Sequence, residues 1–314
     1  MLRNIVIILL IGSGLLMYSC KESSGEKKYA NTPTTGNDTI AVDATFQPII
    51  GAVLPVFHAV YKYSKIDVLY LPEVDVLNLL LKDSVRFVIA ARPLNENENL
   101  FFNDKKIFPK QLKIALDGVA ILVNASNNDT LYTTKQLADI LLGNITDWNQ
   151  INPQSNLGKM RVIFDNPNSS IVRFMVDSIT RTGNLGSHLT AMKTNSDVID
   201  FVSKTPNAIG LIGVSWVSDK DDPACLSFLE NVNVAAISRA DKALPENSYQ
   251  PFQAYIATGN YPLTRFVYMI NAEPRVGLVT GFSGFVASDK GQRIILKTGV
   301  LPFTQPVRLI HVNN

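Results

Sequence analysis

A polar turn in the middle of the chain has the residue types that bind a small anion. Residues 165–173 read DNPNSSIVR and follow a strand-like run, Met160 to Phe164. Ser169 or Ser170 can cap the helix-like run that comes next, whose first backbone N–H groups have no partner within the helix, and Arg173 adds a positive charge. An oxyanion fits such a turn. Most serine-rich turns ahead of helices are only caps, however, so the turn alone does not establish a site.

A second turn, earlier in the chain, has the same form. Thr39 to Val42 reads as a strand, residues 43–47 (DATFQ) form the turn, and Pro48 is the first residue of a helix, where proline is favoured. Two such turns that face each other across a cleft would clamp an anion between them.

The first 20 residues have the pattern of an export signal. Arg3 is followed by an apolar run, Ile5 to Met17, that is too short for a membrane-spanning helix, and then by Ser19 and Cys20. This pattern resembles a bacterial lipoprotein signal peptide, in which Cys20 carries the lipid anchor, and an ordinary cleaved secretory signal is the alternative. Residues 21–37 are polar and contain several helix breakers, so we expect a flexible tether there.

The rest of the chain, about 275 residues, alternates strand and helix patterns. This alternation predicts an α/β fold with mostly parallel sheets, and the length suits two lobes. Thr133 and Gln136 form a capping-box pattern ahead of a helix that Gly143 ends. Further predictions are a strand over Ile114–Val123 broken at Asp117-Gly118, a buried strand over Ala208–Gly213, and two late helices, over 275–287 and 290–297, the second capped by Asp289.

Composition and motifs exclude several classes of function. The formal net charge is only +2, and no basic run with interleaved aromatic residues occurs, so nucleic acid is not an expected partner. The sequence contains no dinucleotide, phosphate-loop, zinc-protease or Cys-x-x-Cys motif, and its three histidines are far apart. We therefore expect neither an enzyme nor a metal or cofactor site. With Cys20 lipidated, Cys225 has no partner for an internal disulfide.

Seven segments in order resemble the substrate-binding protein of the bacterial phosphate ABC transporter, in its lipid-anchored form. They are 43–46, 87–94, 116–124, 137–148, 208–213, 261–265 and 291–302, of which GNITDW at 143–148 is highly typical. The resemblance implies a two-lobed periplasmic-binding-protein fold of type II with the ligand in the cleft between the lobes. It also implies the lobe boundaries, with 38–116 and 266–314 in lobe one and 117–265 in lobe two.

The same resemblance implies the ligand and its contacts. Inorganic phosphate would be held by backbone amides, hydroxyl groups and an arginine. Carried over by position, Thr45 and Phe46 contact the anion from lobe one, and Ser169 and Ser170 contact it from lobe two. Lobe closure around the anion would be the signal that the membrane subunits of the transporter recognise.

Two departures from the family pattern leave selectivity against sulfate open. Ala90 and Ala91 stand where many members have an acidic residue that accepts the proton of phosphate. Asp165 stands where the family has an arginine, so it is either a replacement proton acceptor or only a turn residue. Glu73 and Asp75 are weaker candidates for the acceptor.

The missing positive charge has two candidate replacements, Arg92 and Arg173. Each of them could instead lie on the surface or between the lobes. The leading hypothesis is a monomeric phosphate-binding lipoprotein of the periplasm or cell envelope, anchored to a membrane through Cys20. The alternative is an envelope or surface interaction lipoprotein that keeps the fold but binds another oxyanion or none, and the absent catalytic motifs disfavour a secreted hydrolase.

Overall fold

The computed structural model describes residues 30–218, 227 and 229–304. The predicted signal peptide, both cysteines and most of the predicted tether lie outside these residues. Within the described ranges, no helix combines the length and the apolar character needed to span a membrane.

Strands and helices alternate along most of the described chain. The strands are β1 (Thr35–Asp43), β2 (Tyr63–Leu71), β3 (Phe87–Ala90), β4 (Lys110–Asn124), β5 (Leu131–Thr133), β6 (Arg161–Phe164), β7 (Thr190–Ala191), β8 (Ala208–Gly213), β9 (Val232–Val234), β10 (Ala236–Ser238), β11 (Thr264–Asn271) and β12 (Leu301–Pro302). The helices are α1 (Gln47–Val60), α2 (Glu73–Leu81), α3 (Glu96–Asp104), α4 (Thr134–Leu142), α5 (Ser170–Phe174), α6 (Asn195–Lys204), α7 (Gln253–Ala257), α8 (Leu278–Ala287) and α9 (Asp289–Lys297). A π-helical segment, Met175–Thr180, continues α5.

The first lobe has the strand order β2-β1-β3-β11-β4. Strand β1 is parallel to β2 and β3, whereas β11 is antiparallel to β3 and β4. Helix α1 packs on this sheet because Ile49, Ile50, Val53 and Phe57 share one face and are fully buried. Phe282 of α8 meets Phe57 edge-on, with 5.2 Å between the ring centroids, so the two helices share one core.

The second lobe contains the far part of β4 with β8, β6 and β7. Trp148 is fully buried in its core, and the indole Nε1 donates a hydrogen bond to the carbonyl of Asn207 at 3.1 Å. The predicted capping box is confirmed, because Thr133 and Gln136 each accept a hydrogen bond from the other's backbone amide. Gly143 then ends α4 with φ +86°, in the left-handed region that favours glycine.

Strand β4 runs through both lobes. Its first part pairs with β11 and β12, and from Val119 onward it pairs with β8 and β9. The predicted break at Asp117-Gly118 is wrong, because the strand is continuous and only its partners change there. Arg265 of β11 lies directly opposite Asp117, so the two crossover strands meet at this point. The change of partners supports the proposed lobe boundary.

The amino-terminal part of the described chain differs from the predicted tether. Strand β1 already begins at Thr35, and the side-chain oxygen of Asn31 accepts a hydrogen bond from the amide of Leu278 at 2.6 Å. The residues just before β1 therefore pack against lobe one, and any tether must end earlier than residue 37.

Three smaller differences concern helices and strand pairing. Helix α3 was not predicted, although Asn95 and Glu98 form a capping box at its start. The hydroxyl of Ser288, not Asp289, accepts the amide hydrogen bond that caps α9. The sheets are mixed rather than mostly parallel, because β4 and β11 run antiparallel to their neighbours.

Candidate functional site

The first predicted turn follows β1 directly. One carboxylate oxygen of Asp43, Oδ1, accepts a hydrogen bond from the amide of Thr45 at 3.0 Å, and both side chains are fully buried. The Thr45 hydroxyl has no hydrogen-bond partner among the described residues, while its carbonyl accepts a hydrogen bond from the Trp216 indole at 3.0 Å. The turn therefore presents a buried hydroxyl group that is free to bind a ligand.

The second predicted turn follows β6. Ser169 is the N-cap of α5, and its hydroxyl accepts a hydrogen bond from the amide of Val172 at 3.3 Å. Ser170 is the first residue of the helix and is fully buried. Asp165 is also buried and accepts a hydrogen bond from the side-chain amide of Asn195 at 3.3 Å.

Arg265 joins the two turns, and it was not among the predicted site residues. Its side chain is only 3% exposed. Nη1 donates a hydrogen bond to the Ser170 hydroxyl at 2.8 Å, while Nε and Nη2 both donate to Asp117 Oδ2 at 3.1 Å. The guanidinium also lies 5.2 Å from the centre of the Phe46 ring, which packs in the core of lobe one. The structure thus brings Phe46 and Ser170 together around one buried cation.

A second arginine bridges the lobes at Glu73, the first residue of α2. Arg173 Nε lies 2.5 Å from Glu73 Oε2, and Nη2 lies 3.2 Å from Oε1. Glu73 Oε1 also accepts a hydrogen bond from the amide of Ala91 at 2.8 Å. Beside this pair, the amide of Val74 donates a hydrogen bond to the carbonyl of Asn168 at 3.3 Å. These contacts hold the two lobes against each other.

Arg92 lies apart from this cluster in the described structure. Both of its terminal nitrogens donate to the carboxylate of Glu98, at 2.7 and 2.8 Å, at the start of α3. Asp75 is exposed on α2. The described residues contain no group of three acidic, histidine or cysteine side chains arranged to hold a metal ion.

Burial raises the pKa values of the carboxyl groups in the cluster. Burial, followed by the charge of Glu73, raises the pKa of Asp43 to about 7, although Arg265 acts in the opposite direction. Burial raises the pKa of Asp117 to about 6 despite its ion pair with Arg265. The pKa of Asp165 is raised for the same reason. The cluster therefore contains carboxyl groups that change protonation near neutral pH.

Two residues of the cluster could have been found from the strand pattern. In β11, the buried positions alternate as Arg265, Val267 and Met269, which places a charged residue on the apolar face of a strand. Asp117 likewise interrupts an otherwise apolar run in β4. A charge in this position must be paired, because burying an isolated charge is very costly. Opposite charges on apolar strand faces thus signal a buried ion pair.

Several known proteins resemble most of this chain. A family model described as the PBP superfamily domain matches residues 27–290. The phosphate-binding protein PstS of Borreliella burgdorferi is 22% identical over 306 residues, which cover 96% of this chain and 99% of that protein. PstS of Staphylococcus saprophyticus is 27% identical over 217 residues. That match covers 68% of this chain and 63% of the relative's length.

A solved structure shares the fold. It is a Clostridium perfringens protein described as a phosphate ABC transporter substrate-binding protein with bound phosphate. Its TM-score is 0.70 at 19% identity, and the match covers 86% of this chain and 100% of that one. The two-lobed fold and the resemblance predicted from the sequence are therefore confirmed, and the chain belongs to the PBP superfamily.

Proposed function

We propose that this protein binds inorganic phosphate with high affinity in the cell envelope and delivers it to an ABC transporter. The observation that carries the proposal is the buried cluster between the lobes, in which Arg265 joins Ser170 of lobe two to the turn of lobe one. An arginine and two hydroxyl groups, removed from water, are the groups that hold a tetrahedral oxyanion. The relatives named phosphate-binding protein PstS support the same ligand.

The ligand contacts follow from this arrangement. Thr45 would donate its unpartnered hydroxyl from lobe one, and Ser169 and Ser170 would contact the anion from lobe two. Arg265 supplies the buried positive charge, and Arg173 closes the cleft through Glu73. The protein binds the anion between its lobes and does not convert it chemically. Closure of the two lobes around the bound anion would then distinguish the loaded protein from the empty one for the transporter.

The proposed location depends on the amino terminus. Export through the signal peptide and lipidation of Cys20 would hold a monomer on a membrane of the cell envelope, within reach of the transporter's membrane subunits. Metabolic labelling of the full chain with a fatty acid, compared with Cys20→Ala, tests this part.

We expect phosphate, but not sulfate or molybdate, to raise the free energy of unfolding of the full chain. A ligand present at about a thousand times its dissociation constant adds about 4 kcal/mol, because only the folded state binds it. The measurement is urea unfolding in mild detergent after bound anion has been removed. Equal stabilisation by sulfate would contradict phosphate selectivity. No stabilisation by any anion would contradict the proposal and favour the interaction lipoprotein.

The position of the site is tested by single substitutions in the same assay. Ser170→Ala removes a hydroxyl from the cluster, and we expect the phosphate affinity to fall by about tenfold or more, since a hydrogen bond to a charged group contributes about 1.5–3 kcal/mol. Arg293→Ala removes an exposed arginine on α9 and is the control. Arg92→Ala tests the role of the second arginine. The sequence analysis expects Arg92 to bind phosphate, so the change would weaken binding, whereas its ion pair with Glu98 predicts little loss of affinity.

We also expect Gly213→Ala to weaken phosphate binding. A Cβ at this position would lie 2.5 Å from Thr45 Cγ2, so Thr45 must move and the protein loses about 1–3 kcal/mol of stability by overpacking. Gly51→Ala is the matched control, because Gly51 lies in the interior of α1 with nothing within 4 Å of the added atom. That change should be neutral or stabilising. Wild-type affinity in Gly213→Ala would mean that Thr45 is not a ligand.

A further inference from the structure

Strand β2 forms the outer edge of the lobe-one sheet. It lies at the end of the strand order and pairs with β1 along its whole length of 9 residues. Within the described part of the chain, no strand pairs with its other side. The side chains of Lys65 and Asp67 on this strand are 57% and 62% exposed. A long edge of this kind offers unpaired backbone groups to another strand.

Two hydrogen bonds show which backbone groups of β2 face the open side. The amide of Ser64 donates to the carbonyl of Tyr61 at 3.0 Å, and the amide of Ile66 donates to His58 Nε2 at 3.1 Å, so neither amide is directed at β1. Backbone groups alternate in direction along a strand. The amides and carbonyls of Ser64, Ile66 and Val68 therefore face the open side, where a further strand would bind.

The sequence of this edge is complementary to itself when two copies run antiparallel. With Ile66 of one copy opposite Ile66 of the other, Lys65 lies opposite Asp67 in both directions. Opposite charges directly across two strands stabilise the pairing, and like charges destabilise it. The neighbouring registers with the same hydrogen-bond pattern would place Lys65 opposite itself or Asp67 opposite itself. The charges therefore select one register, and the symmetric contact closes as a dimer.

His58 of α1 occupies the centre of this edge. Its ring is partly buried, and Nε2 accepts the amide of Ile66, which is the amide that the central pair of such a dimer needs. An imidazole nitrogen that accepts a hydrogen bond carries no proton, whereas both nitrogens of the protonated ring are donors. Protonation of His58 therefore breaks this contact and releases the Ile66 amide. In the neutral form, the same contact protects the edge.

The surroundings of His58 determine the pH at which the amide is released. Burial lowers the pKa of His58, and the charge of Asp67 on β2 acts in the opposite direction. No other charged group of the described residues shifts this pKa. Phe57, the neighbour of His58 on α1, contributes an uncharged ring whose centroid lies 6.1 Å away. Release is therefore expected below the ordinary value of 6.5, at mildly acidic pH.

We propose that two copies of this protein pair antiparallel through β2 at mildly acidic pH, with Lys65 opposite Asp67, and that neutral His58 prevents this pairing at higher pH. The released Ile66 amide donates to the carbonyl of Ile66 in the second copy. The Val68 amide donates to the carbonyl of Ser64, and both contacts form in both directions. None of these residues belongs to the cluster between the lobes, so the inference does not depend on the proposed function.

Sedimentation velocity of the full chain in mild detergent, at pH 8 and at pH 5, tests this proposal. Micelles are kept in excess of protein, so that two chains do not share one by chance. We expect the wild type to be monomeric at pH 8 and to dimerise at pH 5. His58→Leu cannot accept the Ile66 amide at any pH and should dimerise equally at both. A wild type and a His58→Leu variant that are both monomeric at both pH values would overturn the proposal.

Charge reversals at pH 8, made together with His58→Leu, test the register. Lys65→Asp and Asp67→Lys each place like charges opposite each other, so each variant alone should be monomeric. A mixture of the two should dimerise again, because negative charges on one chain then face positive charges on the other. Lys204→Asp, which reverses a lysine of α6 that is 71% exposed, is the control and should leave dimerisation unchanged. A mixture that stays monomeric would overturn the assignment to this edge.

The wild-type background decides the matter if His58→Leu does not fold. Lys65→Asp adds a negative charge beside His58 and Asp67→Lys removes one, so the two changes shift its pKa in opposite directions. Both should nevertheless abolish the dimer at pH 5, and their mixture should restore it. Dimerisation that neither reversal weakens would overturn the inference. Phosphate binding at pH 8 should be unchanged in both variants, and its absence from every sample would contradict the proposed function alone.

Discussion

Replacing Arg265 by methionine is expected to abolish phosphate binding and to lower the free energy of unfolding by about 3–5 kcal/mol. The protein would be less stable because Asp117, which is fully buried opposite Arg265, would lose its only described ion-pair partner. Phosphate binding would be lost because Arg265 connects Ser170 with the turn of lobe one. Urea unfolding and phosphate titration of the same sample measure both effects.

The double variant Arg265→Met with Asp117→Asn separates stability from binding. It removes the uncompensated charge while the amide still accepts a hydrogen bond, so we expect most of the stability to return and the binding defect to remain. Arg173→Met is the comparison, because the side chain of Arg173 is 30% exposed, whereas that of Arg265 is 3% exposed. Tight phosphate binding by Arg265→Met would show that this arginine is structural and not a ligand.

The free energy of unfolding of the anion-free protein is expected to rise as the pH falls from 8 to 5. The folded-state pKa of Asp43, about 7, is above its ordinary value of 3.8, so the folded protein binds the proton more tightly than the unfolded chain does. The stability from this group is fully present below pH 3.8 and is lost as the pH rises through 7. A difference of this size corresponds to at most about 4 kcal/mol, and Asp117 acts in the same direction.

Asp43→Asn provides the control for this pH dependence. It should flatten the increase between pH 8 and 5, and at pH 8 the variant should be more stable than the wild type. The measurements stop at pH 5 so that other carboxylates do not contribute. The pKa of Glu98, for example, is lowered, so its ion pair with Arg92 weakens only at more acidic pH. A stability that is independent of pH in this range, or that falls with acidity, would contradict the raised pKa of the buried Asp43.

Much of the fold follows from local patterns in the sequence. The capping box of Thr133 and Gln136 and the proline near the start of α1 mark helix ends, and apolar runs mark the buried strands. Helix α3 was not predicted because it has little apolar content and buries only Phe102. The antiparallel pairing of β11 was also not predicted, because it depends on partner strands that are distant in the chain.

The candidate site was predicted only in part. Ser169 and Ser170 could be proposed from the sequence because they lie where a helix follows a strand, which is a local signal, and Ser169 caps that helix. Arg265 and Asp117 were missed because their role comes from the register between two strands that are far apart in the chain. Residue types and spacing within one segment cannot reveal such a pair. A charge on the apolar face of a predicted strand is nevertheless a usable indication.

The position of β11 has a consequence for folding. In the described sheet it lies between β3 and β4, yet the whole second lobe separates it from β4 along the chain. During synthesis, β3 and β4 therefore expose open edges until residues 264–271 leave the ribosome, whereas the second lobe can already assemble. Pairing across such long separations slows folding and exposes strands to wrong partners. A chain that ends before Thr264 would keep both edges open, and aggregation through them is the expected fate of such a fragment.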